Sequence, residues 1–211
     1  MNIGYKKLQN GYIAELEILG EMDKNRNGIV DPQYALYRAS KVKVLKIFHM
    51  DNETQVIEQM DDTDFVYIVG KEIDRKVCLR KILHYFKTLE PTKMWKLNVN
   101  NYTGKYMEWY DDGNKKCEGE YKDGKKEGKW TGWYENEDED GNGNKMYEWE
   151  YKDGKKEGKH LGWYERGNKK YEGEYKDGKL EGKWIGWWEN GNKEFEGEYK
   201  DGEKVGKWIG H

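Results

Sequence analysis

Four near-copies of one aromatic and glycine phrase occupy the second half of the chain: EGEYKDGKKEGKWTGWYEN from Glu118, EWEYKDGKKEGKHLGWYER from Glu148, EGEYKDGKLEGKWIGWWEN from Glu172 and EGEYKDGEKVGKWIGH from Glu196. Tyr121, Tyr151, Tyr175 and Tyr199 recur in register, as do Trp109, Trp133, Trp163 and Trp187, which sets a period of 24 residues broken by one six-residue insertion. A unit this short cannot bury a face alone, so such a sequence has to stack copies of itself into an array. Within a unit, short runs such as KKYEGEY (Lys169 to Tyr175) and KWIGWWE (Lys183 to Glu189) are separated by KDGK and then ENGN. Asp-Gly and Asn-Gly between alternating aromatic runs accept the positive φ of tight hairpin turns. The expectation for residues 94–211 is an antiparallel β-meander of roughly ten strands.

Composition divides at the same place. All ten Trp lie from Trp95 onward, and beyond Asn101 the aliphatic Leu, Ile and Val residues are Leu161, Leu180, Ile185, Val205 and Ile209 alone, so any core there is made of Trp and Tyr. Each buried ring removes about 150–250 Å² from water, enough for few residues to sustain a thin core. A mean hydropathy of -1.23 with 37% charged residues would otherwise read as disorder, but disordered chains are poor in aromatics. Lys and Arg stand against Asp and Glu as 15 to 14 in residues 1–93 and 23 to 27 in the rest. That balance lacks the basic stripe of a nucleic-acid binder, so no direct nucleic-acid contact is expected. The N-terminus has no uninterrupted apolar segment of a signal peptide, and no run of 18 apolar residues occurs, which leads to the expectation of a soluble, cytoplasmic protein without a membrane association. Cys78 and Cys117, one in each half and without metal-like spacing, read as reduced thiols.

Residues 1–93 carry a different pattern. YIAELEIL (Tyr12 to Leu19), VKVLKI (Val42 to Ile47) and FVYI (Phe65 to Ile68) read as strands, and QYALYRAS (Gln33 to Ser40) as a short helix or a turn. Val77, Leu79, Ile82, Leu83, Tyr85, Phe86 and Leu89 recur at helical spacing, which predicts a helix within Ile73 to Leu89 stopped by Pro91. The fold class expected is therefore α+β, a small N-terminal α+β domain over 1–93 followed by the meander over 94–211.

The phrase Tyr-Glu-Gly-Glu-Tyr-Lys-Asp-Gly-Lys-x-Glu-Gly-Lys-Trp resembles the MORN repeat, in a bacterial antitoxin-like variant, over roughly residues 94–211. The resemblance implies an elongated single-layer β-meander that engages protein partners, assembles with itself or, in some members, meets phospholipid. The period of 24 is slightly longer than that of the family's usual repeat. The segments YIAELEI, YALYRASKVKVLKI and DFVYIVGKEI are similar to an uncharacterised domain found ahead of repeat arrays in phage and large-virus proteins, for which no catalytic residues are carried over.

Candidate chemistry is sparse. DKNRNGIVDPQY (Asp23 to Tyr34) imitates an EF-hand loop, but Tyr34 stands where the bidentate Glu belongs, so it reads as a polar turn. The insertion EDEDGN (Glu137 to Asn142), with Glu135 nearby, gathers carboxylates beside a glycine and reads as a longer solvated turn, with a partner-specific contact preferred over a cation. His160 takes the place of Trp130, Trp184 and Trp208, and Cys117 that of Tyr147, Tyr171 and Phe195, so both are packing substitutions in different units rather than a nucleophile and its base. His49 and His84 have no ligand spacing. Walker, His-Glu-x-x-His and Gly-x-Ser-x-Gly motifs do not occur, so no enzyme activity, cofactor or metal is expected.

What remains is surface. Trp109, Trp133, Trp163 and Trp187, with Trp188 beside the last, are the candidate partner-binding anchors, since Trp rows serve as interface hot spots. Equally, that row is the core and the Tyr171/Tyr175 face is the exposed one. The reading is a non-enzymatic protein-binding repeat protein, by resemblance an antitoxin-like neutraliser of a toxin or defence effector. Its rivals are a phage- or mobile-element-encoded, anti-CRISPR-like inhibitor of a defence nuclease and a lipid-surface scaffold, the latter disfavoured by the array's negative charge. The strand around Lys207 to Gly210 is expected to offer an edge to a second copy, as a homodimer, or to the partner.

Overall fold

The computed structural model describes residues 1–22, 29, 32–62, 65–74, 83–137 and 143–210. The chain divides into two compact units, Met1–Leu97 with Trp109–Asn114, and Asn98–Glu108 with Lys115–His211.

The first unit is built from β1 (Ile3–Lys7), β2 (Tyr12–Glu21), β3 (Leu36–His49), β4 (Asn52–Val56), β5 (Gln59–Asp61), β6 (Val66–Ile68), β7 (Glu72–Asp74), β8 (Leu83–Phe86) and α1 (Leu89–Met94). Alternation explains the long strands. In β2 the side chains of Ala14, Leu16 and Ile18 point inward between exposed or half-buried Glu residues. β3 pairs with β2 from Tyr12↔His49 to Glu21↔Ala39 and with β8 from Leu36↔Phe86 to Ala39↔Leu83, while β1 pairs with both β2 and β8. The ring β1–β2–β3–β8 thus closes on itself, which removes open edges around a core of Leu8, Leu16, Val42, Val44, Ile47, Tyr67 and Tyr85.

This unit is not an α+β domain. It holds eight strands and, as the one α-helix among the described residues, the six-residue α1; over the two units together strand accounts for 67% and helix for 5%. Where a helix was expected within Ile73 to Leu89, the described ends are strands, β7 and β8, and residues 75–82 lie outside the described residues. At the described end the spacing follows a strand period: Leu83 and Tyr85, each 1% exposed, alternate with half-buried His84. Pro91 sits inside a helix, as the third residue of α1, rather than stopping one. It lies in the first turn of α1, where no intrahelical N–H is needed, behind the extended Thr88. Residues 32–34 form a turn and the chain is already strand from Leu36.

The second unit is a nine-stranded antiparallel meander in sequential order, β9 (Gly104–Trp109, of which Trp109 itself is grouped with the first unit), β10 (Lys115–Lys122), β11 (Lys125–Glu137), β12 (Gly143–Lys152), β13 (Lys155–Trp163), β14 (Lys169–Lys176), β15 (Lys179–Trp187), β16 (Lys193–Lys200) and β17 (Glu203–Gly210). The KDGK turns close the hairpins as read: Asp177 (φ 52°) and Gly178 (φ 84°) both adopt the left-handed region that a type I′ turn requires. Among the described residues no helix is long and apolar enough to cross a membrane.

Candidate interaction surface

One row of residues runs across the sheet and organises its aromatic face. Register places Trp130 opposite Trp149, Trp149 opposite His160, His160 opposite Gly173, and Trp184 opposite Gly197. In the regular units a glycine lies under an indole. A Cβ at Gly173 would meet Trp184 at 2.1 Å, and one at Gly119 or Gly197 would meet Trp130 or Trp208 at 2.3 Å. Tyrosines close the sides edge-on, Tyr121 against Trp130 at 5.0 Å and Tyr175 against Trp184 at 5.3 Å. Rings shield one another so well that Trp130 is 1% and Trp184 7% exposed within a single sheet. The indole N–H groups donate to Glu120 O (3.2 Å) and Glu174 O (3.1 Å). The Tyr171/Tyr175 face is therefore the core of the array.

The unit from Glu148 departs in two places at once. Trp149 stands where the others have glycine, and His160 where they have Trp. Trp149 lies flat on Tyr147 (4.0 Å, 19°), parallel to His160 (6.0 Å, 21°), and donates its N–H to Tyr171 Oη at 3.0 Å. His160 is 1% exposed. Its Nδ1 lies 3.3 Å from Gly158 O, which assigns the proton to Nδ1 and leaves Nε2 a buried acceptor without a partner among the described residues. Burial first, with Lys156 adding to it, pushes the imidazole down to about 4 against the opposing pull of the Gly158 carbonyl.

Side-chain ladders bind successive units. Tyr134 and Tyr164 donate to Trp163 O (2.9 Å) and Trp187 O (2.8 Å). The turn N–H groups of Asp153, Asp177 and Asp201 donate to the carboxylates of Glu127, Glu157 and Glu181 at 2.8–2.9 Å. Val205 takes the place of those glutamates in the last unit.

The opposite face is charged and carries the tryptophan row. Lys115–Glu118 (2.8 Å), Lys145–Glu148 (2.5 Å), Lys169–Glu172 (2.7 Å) and the contact of Lys193 with Glu196 repeat along it. Lys183 and then Lys193 hold the Glu196 carboxyl down to about 2. Trp133, Trp163 and Trp187 are half-buried at equivalent positions there, opposite Lys145, Lys169 and Lys193. Lysine cations lie 5.3 Å from the Trp133 ring and 5.4 Å from that of Trp187. A shallow cleft of about 650 Å³ lined by Lys129, Thr131, Trp133, Lys145 and Glu148 opens beside this row.

Two expected anchors do not join it. Trp109 belongs to the first unit, where it stacks on Tyr34 (4.7 Å, 8°). Trp188 follows the Trp184 and Gly186 alternation, occupies the slot of Tyr134 and Tyr164, and is 47% exposed. Cys117 and His160 are not brought together: they lie on β10 and β13, separated by two strands. The Cys117 thiol points at Glu108 Oε2 (3.8 Å), and burial, then that carboxylate, push it up to about 11. Both shifts run opposite to what a nucleophile and its base require. Among the described residues no three His, Cys, Asp or Glu side chains are placed to hold a metal. The EF-hand-like segment (23–28, 30 and 31) and the acidic insertion (138–142) lie outside the described residues.

Residues 1–81 match a family of unknown function, DUF5758. The matched span contains β1 to β7 and ends before β8. No curated protein matches the chain.

Proposed function

We propose that the chain is a non-enzymatic, cytoplasmic protein-binding protein whose MORN-like array serves as a platform for a protein partner, with antitoxin-like neutralisation as its specific role. One observation carries the reading. The array satisfies its core on one face by ring-on-ring packing, so Trp133, Trp163 and Trp187 on the other face are half-buried in register without being needed to fill that core. Aromatic side chains held in place by neighbouring charges, with little side-chain entropy left to lose, are what interface anchors require. The raised thiol of Cys117 and the lowered imidazole of His160 speak against covalent or acid–base chemistry in the array.

Affinity capture with the wild-type chain and with Trp163→Ala and Trp187→Ala variants tests this. Each substitution is expected to leave the melting temperature of the array nearly unchanged and to weaken a captured protein by at least about 1–2 kcal/mol. A captured set identical for wild type and the double variant would overturn the assignment of the row.

A further inference from the structure

The lysine four residues before each core ring lies over the aromatic face. Lys126 Nζ is 4.1 Å from the Trp130 ring, Lys204 Nζ is 4.1 Å from Trp208, and Lys156 Nζ is 4.8 Å from both Trp149 and Tyr175. In the unit built on Trp184 that position is Leu180. The cation that covers the ring elsewhere is absent here, and a cleft of about 340 Å³ lies over Trp184, floored by Tyr171, Tyr175, Leu180, Phe195 and Tyr199. That volume is at the lower end of the roughly 300–1,000 Å³ of binding pockets. Trp149 and His160 form one wall.

The rim has its own charge. Lys156 and Lys170 line it with Glu194, and neither lysine is ion-paired with a carboxylate among the described residues. Lys170 rests over the Tyr164 ring at 5.3 Å. Lys156 is half-buried, and desolvation lowers its pKa with no counter-charge to offset the effect. Two unpaired cations against one carboxylate leave the rim positive beside an apolar floor.

We propose that this cleft is a second docking surface, taking from a protein partner a bulky apolar side chain flanked by acidic residues. The ring enters over Trp184 and Leu180, where no lysine blocks it, and the flanking carboxylates meet Lys156 and Lys170. The site lies on the face opposite the Trp133, Trp163 and Trp187 row, so it does not depend on that row. It rests on the platform reading only in taking a peptide as occupant.

Leu180→Lys is the discriminating variant, because it restores the residue that three other units already carry at this position and so keeps the fold. A phage-displayed library of random dodecapeptides is selected on the wild-type chain and each binder is measured on Leu180→Lys and Lys170→Glu, with circular dichroism and melting temperature checked for both variants. Vesicles of phosphatidylglycerol serve as a parallel probe. The expected result is a family of binders with an aromatic or leucine anchor between Asp or Glu residues, weakened at least tenfold by Leu180→Lys and several-fold by Lys170→Glu, with no vesicle binding sensitive to Leu180→Lys. Binders indifferent to Leu180→Lys, binders with basic flanks, a failure to select any, or vesicle binding that Leu180→Lys abolishes would each overturn the proposal. If the library fails while partner capture still depends on Trp163 and Trp187, the cleft assignment falls and the platform reading stands.

Discussion

The paired exchange at 149 and 160 offers the sharpest test of how this array is held together. Trp149→Gly restores the glycine of the regular units but leaves His160 beneath it. Trp149 is half-buried, so its loss uncovers about half of the 150–250 Å² a tryptophan buries, or roughly 2.5 kcal/mol. Losing the stack on Tyr147 and the hydrogen bond to Tyr171 adds about 1 kcal/mol each. His160→Trp alone drives an indole into the place of the Trp149 Cβ, since the corresponding glycines approach their indoles to 2.1–2.3 Å. Overpacking of that kind costs roughly 1–3 kcal/mol. Together the two changes recreate the Gly173/Trp184 pair, and the double variant is expected to lie within about 1 kcal/mol of the wild type, a favourable coupling of at least about 3 kcal/mol. Because the chain has two units, global unfolding need not be two-state. Hydrogen exchange read at β12 to β14 in the four proteins supplies the cycle instead. Additivity of the single effects to within about 0.5 kcal/mol would refute the idea that these residues exchanged roles as a pair.

Three further expectations follow from the same contacts. His160 is neutral in the fold with its pKa pushed from 6.5 to about 4, so its contribution is complete above pH 6.5 and is lost as pH falls through the interval down to about 4; the array is expected to lose roughly 1–3 kcal/mol there, read by urea titrations at stepped pH, and the 149/160 double variant should lack that loss. Glu157→Gln weakens the acceptor for the Asp177 N–H, and a local destabilisation of about 0.5–1.5 kcal/mol should appear as faster exchange of that amide, with the Asp153 amide unchanged. Cys117→Ser is expected to leave partner binding intact, because the thiol is held protonated at about 11; lost binding in a variant that melts normally would contradict this.

Much of the array could be read from the chain because its information is local. The Asp-Gly turns demand positive φ, and the alternation of Tyr, Gly and Trp sets the face of each strand. The first unit was less legible. Leu83, Tyr85 and Phe86 satisfy a helical and a strand period alike, and pairing of Phe86 with Leu36 and Tyr5, far away in sequence, decides between them. Trp109 matches the other row tryptophans in spacing, yet Tyr34 claims it. Which face is the core follows from the glycines under Trp130, Trp184 and Trp208, a contact between strands that spacing along one strand does not reveal. Two signals were available and missed: aligning the units as columns exposes Trp149 among glycines and Leu180 among lysines.

Hydrogen exchange of the indole N–H groups, followed by NMR in the free chain and with a captured partner, tests the division of labour between the two faces most directly. Trp130 and Trp184, which donate to Glu120 O and Glu174 O, should exchange slowly in both states. Trp163 and Trp187 should exchange quickly in the free chain and become protected in the complex. Rapid exchange at Trp130 and Trp184, or an unchanged rate at Trp163 and Trp187 on binding, would contradict the account.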